Sequence, residues 1–489
     1  MTEWAPRQAK QEELKQIEHC LVLQPEATTF YLERARLLTE LGMREEARDA
    51  YLQLLAKDPM NFTAMNNLGT LLLSMGFRSA ARTAYEAVTQ HWSQPTAHVN
   101  LGNLLREDRN FDAARKHYET ALRLTSAERA KAHQGLAYIM SELGDFEEAE
   151  KHRRLGFQDE SLVVLPYRGK AEPIPVIVLI SAMGGNVPTH SFLDDRTFLM
   201  SIIVAEFFDP ARPLPDHQLV FNAIGDVEIC EDALIAAQKI IAKTTAPVIN
   251  RPEAVMLTSR ASNAERLKNI PGLIAPKIMT LARVDITPDM LTRYGFVFPI
   301  LLRRPGFHAG EHFLKSDNAD ELAANLDLIL GKELTVIQYV DVRHADGKIR
   351  KYRTMMIGGE LYPLHAAVSA TIWKLHFFSA DMKDSPENCA GDAEFLEDMP
   401  KVIGARAIAA LKQIQNTLGL DYAGIDFGLN RNGDVVLFET NATMVVNPPE
   451  HDEQWNYRRP PVKRILDAVR NMIFKKLPPA LSKIYAQSA

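Results

Sequence analysis

Cysteine is scarce in this chain: Cys20, Cys230 and Cys389 lie far apart among 489 residues, with no CxxC spacing and no paired histidines beside them. That excludes a disulfide framework and a thiolate zinc site, and it fits a reducing compartment, so a cytoplasmic protein is expected. Long hydrophobic runs are missing as well. Stretches such as Val176 to Ile180 fall far short of the roughly 20 apolar residues that a membrane helix needs, and Met1 to Pro6 shows no basic start before an apolar core. Nor is there a basic excess. The 56 Lys+Arg against 62 Asp+Glu leave a formal charge of −6, so neither nucleic acid nor an anionic membrane surface is an expected partner. Hydrophobic residues at 46% and charged residues at 24% are ordinary for globular proteins, which excludes wholesale disorder. The length suits about three domains.

What the sequence does have is repetition. Ala47, Ala81, Ala114 and Ala149 recur at intervals of 34, 33 and 35 residues, and Tyr51, Tyr85 and Tyr118 each follow one of them by four. A small residue and an aromatic at that spacing share one helix face. A second small position, at Ala35, Gly69, Gly102 and Ala137, precedes each of these, and turn signals stand at Leu41-Gly42, Met75-Gly76 and Leu143-Gly144. Over residues 25–155 these motifs resemble the tetratricopeptide repeat (TPR) family, with Asp58-Pro59 closing one unit. The resemblance implies an all-α solenoid that holds a peptide or protein substrate, or pairs two chains into a homodimer. Two departures stand out. Asp108-Arg109 occupies a turn where glycine is expected, and Arg153 takes an aromatic position, as suits a terminal repeat on which nothing stacks. Residues 7–24 read as a preceding single helix.

After the linker Arg168 to Pro175, strands alternate with helices, which implies a parallel sheet with covered faces. Val176 to Ser181, Gln218 to Ile224 and Pro247 to Asn250 read as strands, and Glu231 to Lys243 and Arg260 to Asn269 as helices. Gly184-Gly185 after the first strand is a tight turn or a ligand loop. The stretch Asp421 to Asn441 reads as a hairpin about Asn432-Gly433, a dipeptide suited to a two-residue type I′ turn. That turn pairs Arg431 with Asp434, Leu429 with Val436 and Asp426 with Glu439, and sets Asn441 opposite Gly424. Facing carboxylates, with Cβ atoms roughly 5 Å apart, need positive charge between them. Oxygen ligands of this kind suit Mg²⁺ or Mn²⁺, and the other answer is a lysine or arginine partner.

The Asp-then-Glu-x-Asn hairpin resembles the metal-binding end of the ATP-grasp superfamily, and earlier segments follow that family's order. Phe298 to Arg303 resembles the strand that ends in a phosphate-binding lysine, here arginine. Pro305 to Gly310 resembles the small loop over the phosphates, Val336 to Val340 the hinge that meets adenine, and Arg350 to Ile357 the strand that brings Arg353 to phosphate. The resemblance implies a multidomain chain: TPR helices over residues 1–157, a linker over 158–174, a pre-ATP-grasp α/β parallel-sheet domain over 175–283, an α+β ATP-grasp catalytic domain over 284–478 and a tail over 479–489. It further implies ATP and Mg²⁺ (or Mn²⁺) as cofactors, and an ADP-forming ligase that joins a carboxylate to an amine or thiol through an acyl phosphate. A small amine or amino acid is then one co-substrate. In this reading Arg303 and Arg353 serve the phosphates in catalysis. Arg260, Lys277, Gly306, Gly310, Gln338, Tyr339 and Val340 join them around ATP, with Lys277 a rival to Arg260. Asp426, Glu439 and Asn441 hold the metal. His365, Trp373 and His376 are candidates for substrate contact or for aromatic core. A TPR scaffold with a nucleotide-binding but inactive second half is the alternative, and a kinase-like transfer a third.

Overall fold

The computed structural model describes residues 5–124, 128–304, 313–329, 331–371, 373–375, 377, 380–449 and 452–478. The chain divides into two compact units, Met1–Ile177 with Asp194–Asp216, and Val178–Leu193 with His217–Ala489.

The first unit opens with the helix Ala5–Leu23 and continues as four helix pairs: Thr28–Glu40 with Arg44–Lys57, Phe62–Ser74 with Arg78–His91, Pro95–Glu107 with Phe111–Leu124, and Arg129–Leu143 with Phe146–Phe157. The repeated tyrosines explain the repeated small residues. Tyr51, Tyr85 and Tyr118 are fully buried. A Cβ on Gly69 would come within 2.8 Å of the Tyr85 ring, and one on Gly102 within 2.9 Å of Tyr118. In the fourth unit the tyrosine is met not at Ala137 but two residues earlier, where a Cβ on Gly135 would lie 2.2 Å from Tyr118. Each buried hydroxyl then finds an acceptor, Tyr85 at Thr70 (3.0 Å) and Tyr118 at Asn103 (2.7 Å).

The turns between paired helices use the left-handed region, with φ of 75° at Gly42, 88° at Gly76 and 82° at Gly144. Arg109 adopts φ 59° at the corresponding place, so the sequence departure leaves the backbone path unchanged and loads strain onto a residue with a Cβ. Arg153 corrects the expectation of a bare terminal repeat. It is buried, paired to Glu150 at 2.5 Å, and Phe157 in the same helix stacks on Phe207 at 5.8 Å. Leu162–Val164, inside the expected linker, pairs antiparallel with Phe198–Val204, so a cut at Arg168 to Pro175 would separate strands that are hydrogen-bonded to each other.

The last two helix pairs hold two histidine pairs. His98 and His117 face each other Nδ1 to Nδ1 at 2.9 Å, and His133 and His152 do so at 2.8 Å. Burial, and then the partner imidazole, push His98 and His133 down to about 4, with Arg123 and Arg129 acting in the same direction. Burial lowers His117 and His152 as well, against Glu86 and Glu148.

In the second unit, Leu219–Asn222 and Val248–Ile249 pair in parallel around the helix Val227–Ile241. Two further sheets follow. The first has the order Ile278–Ala282, Glu333–Gln338, Ile300–Arg303, Phe313–Ser316, all antiparallel. Its alternation buries Ile300 and Leu302 in a cluster with Leu334 and Val336 and turns Arg303 to the opposite face. The second has the order Glu360–Ser369, Ile349–Ile357, Tyr422–Leu429, Val435–Asn441, Leu273–Ile274, antiparallel except for its last pair.

The hairpin register needs a correction. The loop is one residue longer than a type I′ turn: Gly433 N–H donates to Asn430 O, Asn430 N–H donates to Asp434 O, and Gly433 sits at φ 76°. Asn430 therefore pairs with Asp434, and Leu429 with Val435 instead of Val436. A bulge at Phe438 absorbs the shift, so that Asp426 faces Glu439 and Gly424 faces Asn441 as expected.

Two outcomes follow from the first unit. Because the folded histidines bind protons more weakly than the unfolded value of 6.5, their contribution to stability is complete above pH 6.5 and falls as pH drops from there toward about 4. Denaturant unfolding of the repeats should show that loss, and replacing His98 and His133 by leucine should flatten it. Arg109→Gly relieves the left-handed strain and should raise stability by up to about 1 kcal/mol in the same measurement.

Candidate functional site

The hairpin delivers its carboxylates because each strand alternates between core and cleft. Tyr352 turns inward, stacking on Phe427 at 5.4 Å and lying 5.0 Å from Phe395, which sends Lys351 and Arg353 to the other face. Arg353 pairs across strands with Asp426. Its Nε donates to Oδ1 at 2.5 Å and a terminal nitrogen donates to Oδ2 at 2.8 Å, a two-pronged contact on a carboxylate only 2% exposed. Lys351 Nζ adds a third contact, 2.6 Å from Oδ2. Burial by itself would raise the Asp426 carboxyl, but the charges of Lys351 and Arg353 and their hydrogen bonds outweigh it and hold the group well below the usual carboxylate range.

Glu439 is served from a separate helix. Ser259 caps Arg260–Leu267 by accepting from Ser262 N–H at 3.1 Å, and Asn263, one turn into the helix, donates to Thr440 O at 2.8 Å. That anchor sets Arg260 between Glu439, to which one terminal nitrogen donates, and Glu228, to which the other donates at 2.5 Å. Glu228 itself enters at the start of Val227–Ile241, where Asp226 accepts its N–H at 2.9 Å. Gly225 is needed there, because a Cβ would lie 2.7 Å from the Ala442 backbone just beyond Asn441. Gly225, Asp226, Glu228, Arg260, Glu439 and Asn441 line one open cleft.

Arg303 reaches this region from the four-stranded sheet. Burial, and then the like charge of Arg260, lower its guanidinium from the ordinary value, while Glu439, Glu228 and Asp226 oppose them. Its guanidinium also lies 5.7 Å from the Phe313 ring. Lys277 is placed differently: Nζ donates to Tyr294 O and sits 5.4 Å over Phe296. Gln338 spends its amide on Val297 N–H and O (3.0 and 2.8 Å) and on Pro299 O (3.1 Å). Tyr339 lies 4.8 Å under Lys315 Nζ, and Val340 packs beside Val342 and Ile349.

His365 lies directly across from Arg353 in the neighbouring strand, buried, with Phe377 at 5.1 Å. Burial, and then the Arg353 charge, push its imidazole well below the usual value, so it is neutral. Trp373 packs edge-on against Phe313 at 5.3 Å. Gly306, Gly310 and His376 lie outside the described residues.

Of the two answers to the facing carboxylates, the side chains give cationic partners, Lys351 and Arg353 for Asp426 and Arg260 for Glu439. Among the described residues, no group of three or more His, Cys, Asp or Glu is arranged to hold a metal ion. Asp426, Glu439 and Asn441 nevertheless place three oxygen-bearing side chains at adjoining register positions, a donor set whose chemistry fits a hard divalent cation. Lys351, Asp226 and Glu228 were missed by motif reading. Strand alternation from Arg353 would have found Lys351 two residues earlier, whereas Glu228 carries no local signal.

Models of the tetratricopeptide repeat match residues 32–76 and 93–154. The helical array is a TPR array. No curated protein matches the sequence. Among solved structures, the chain is similar to MamA from Desulfovibrio magneticus RS-1, at 21% identity over 30% of this chain and 84% of that one, with a TM-score of 0.27. It is similar to the VanG D-Ala:D-Ser ligase from Enterococcus faecalis, at 14% identity over 61% of this chain and 99% of that one, with a TM-score of 0.38. It is also similar to a D-alanine–D-alanine ligase from Bacillus anthracis complexed with ATP, at 13% identity over 65% and 99%, with a TM-score of 0.39. Downstream of the TPR array, Phe298 to Arg303, Val336 to Val340, Arg350 to Ile357 and Asp421 to Asn441 carry the strands Ile300–Arg303, Glu333–Gln338, Ile349–Ile357, Tyr422–Leu429 and Val435–Asn441, and Pro305 to Gly310 lies outside the described residues. No helix among the described residues is long and apolar enough to cross a membrane.

The pairing around Asp426 predicts a structural cost for its loss. Asp426→Ala leaves two largely buried cations side by side without their anion, which should cost about 3 to 5 kcal/mol in denaturant unfolding. A loss under about 1 kcal/mol would mean that solvent reaches Lys351 and Arg353 freely.

Proposed function

We propose that the α/β half is an ADP-forming ligase of ATP-grasp type that joins a carboxylate to an amine, or less often a thiol, and that the TPR array brings it a peptide or protein substrate. One observation carries this reading: two carboxylates sit in cross-strand register and three cations pair with the acidic cluster, Lys351 and Arg353 on Asp426 and Arg260 on Glu439 and Glu228. A cleft built only to be stable has little use for so many partly desolvated charges, whereas a transferring phosphoryl group needs fixed positive charge in a dry site.

In this reading Arg303 and Arg353 hold phosphate oxygens, and Arg260 steadies Glu439 and Glu228 from the opposite side. The backbone of Gln338 to Val340, between the two sheets, is the adenine contact. Asp426, Glu439 and Asn441 would hold Mg²⁺ or Mn²⁺, which when bound neutralises charge on the phosphoryl oxygens. The substrate carboxylate takes the γ-phosphoryl group to form an acyl phosphate, and the amine then displaces phosphate. Neutral His365 backs Arg353 and keeps its guanidinium facing the cleft.

The scaffold alternative differs in one measurable respect, turnover. ADP release should appear when a panel of amino acids and peptides is supplied with ATP and magnesium. Arg303→Ala should weaken ATP binding by about 1.5 to 3 kcal/mol, the worth of a charge-assisted hydrogen bond. ATP binding with no ADP release for any carboxylate and amine would favour the scaffold, and unchanged affinity in Arg303→Ala would move the phosphate role to Arg260.

A further inference from the structure

Two short parallel strands end side by side in buried asparagines. Asn222 closes Leu219–Asn222 and Asn250 follows Val248–Ile249, and each is 1% exposed. Asn222 Nδ2 donates to Asn250 O at 2.9 Å, and its Oδ1 accepts from Ile224 N–H at 3.2 Å, which fixes the turn ahead of Gly225. Asn250 turns the other way, to the hairpin. Its Oδ1 accepts from Asp421 N–H at 3.0 Å and from Tyr422 N–H at 2.9 Å, and its Nδ2 donates to Tyr422 O at 2.7 Å. Its own N–H donates to Asp421 Oδ2 at 3.3 Å.

This joint lies where the walls of the cleft diverge. In one direction the chain leaves Asn250, passes the one-turn helix Pro252–Val255 and reaches Arg260; in the other, the strand docked at Tyr422 carries Asp426. The second hairpin strand is met at its end by the turn that Asn222 fixes, where a Cβ on Gly225 would lie 2.7 Å from the Ala442 backbone. The open end of the hairpin is thus held on both strands, and a shift at Asn250 would move Asp426 relative to Arg260. Few residues could take this place. Asn250 holds φ 54°, a region that glycine, asparagine and aspartate adopt most readily. Glycine brings no side chain, and an aspartate carboxylate accepts but cannot donate to Tyr422 O. Of these three, asparagine alone supplies the backbone, the donor and the acceptor.

We propose that Asn250 is a positioning residue for the nucleotide cleft: it ties the start of the strand that carries Asp426 to the segment that leads to Arg260, and so fixes the spacing of the cleft's charged groups before phosphate arrives. This rests on the nucleotide reading above. Groups held in place bind without first being ordered, so loosening the joint weakens binding although no ligand contact is removed.

The test compares Asn250→Gly with Asn250→Ala in the full chain, with a non-hydrolysable ATP analogue and magnesium in equilibrium dialysis, and denaturant unfolding for stability. Both variants lose the same clamp, but only alanine carries the left-handed strain. They should differ in stability, Asn250→Gly being the more stable, and share one loss of analogue affinity, about tenfold or more, the worth of one hydrogen bond to a charged phosphate. Asn250→Asp keeps the acceptor and tolerates the backbone, so its affinity should fall between wild type and Asn250→Gly. If Asn250→Ala does not fold, the other two variants carry the comparison. Wild-type affinity in folded Asn250→Gly, or affinities that rank with stability and not with the clamp, would overturn the proposal. Failure of the wild-type chain to bind the analogue would instead overturn the nucleotide reading.

Discussion

A carboxylate that is 2% exposed cannot remain ionised without partners, and much of the second unit is arranged around that demand at Asp426. Its strand is tied at the start by Asn250, whose side chain donates to Tyr422 O at 2.7 Å and accepts from Tyr422 N–H at 2.9 Å. Asn250 holds φ 54° to do so, strain carried by a buried polar residue that couples Val248–Ile249 to the hairpin. The neighbouring strand contributes Lys351 and Arg353, and the strand beyond it sets neutral His365 directly across from Arg353. Asp392 supports that outer strand: its carboxylate accepts from Ala366 N–H at 2.6 Å and from the Tyr457 hydroxyl at 2.7 Å, and burial lifts it to about 6.

The first unit is organised by a different constraint, the close approach of helices. A tyrosine ring fills the space that a glycine leaves on the facing helix, so the interval near 34 residues is fixed by packing. The turns only have to return the chain, which is why Arg109 can stand in for glycine at a modest cost. The same regularity sets one histidine pair above another in the last two units, where shared burial makes all four imidazoles poor bases.

The hairpin shows how a correct site can come from an incorrect local reading. Asn432-Gly433 suggested a two-residue turn, and the loop instead uses three residues with Gly433 left-handed. Carried along the ladder, that shift would have turned Glu439 away from Asp426. The bulge at Phe438 restores the register, so the pairing of the carboxylates is right although the pairs between them are not. A bulge has no dependable sequence mark, because it depends on what the extra residue packs against.

Periodicity and short-range chemistry were determined by sequence alone: the repeats, the amphipathic helices, the strand carrying Arg353 and the two carboxylates on one face. These follow from side-chain spacing along a single element, which the order of residues specifies directly. Tertiary structure decided what the carboxylates meet. Glu228 and Arg260 come from separate helices and Arg303 from another sheet, and no local pattern reports distances between elements far apart in the chain. The same holds for the last repeat, where Arg153 is buried and Phe157 meets Phe207 from beyond the array. Spacing decides which face a side chain takes, and only packing decides which charge stands opposite.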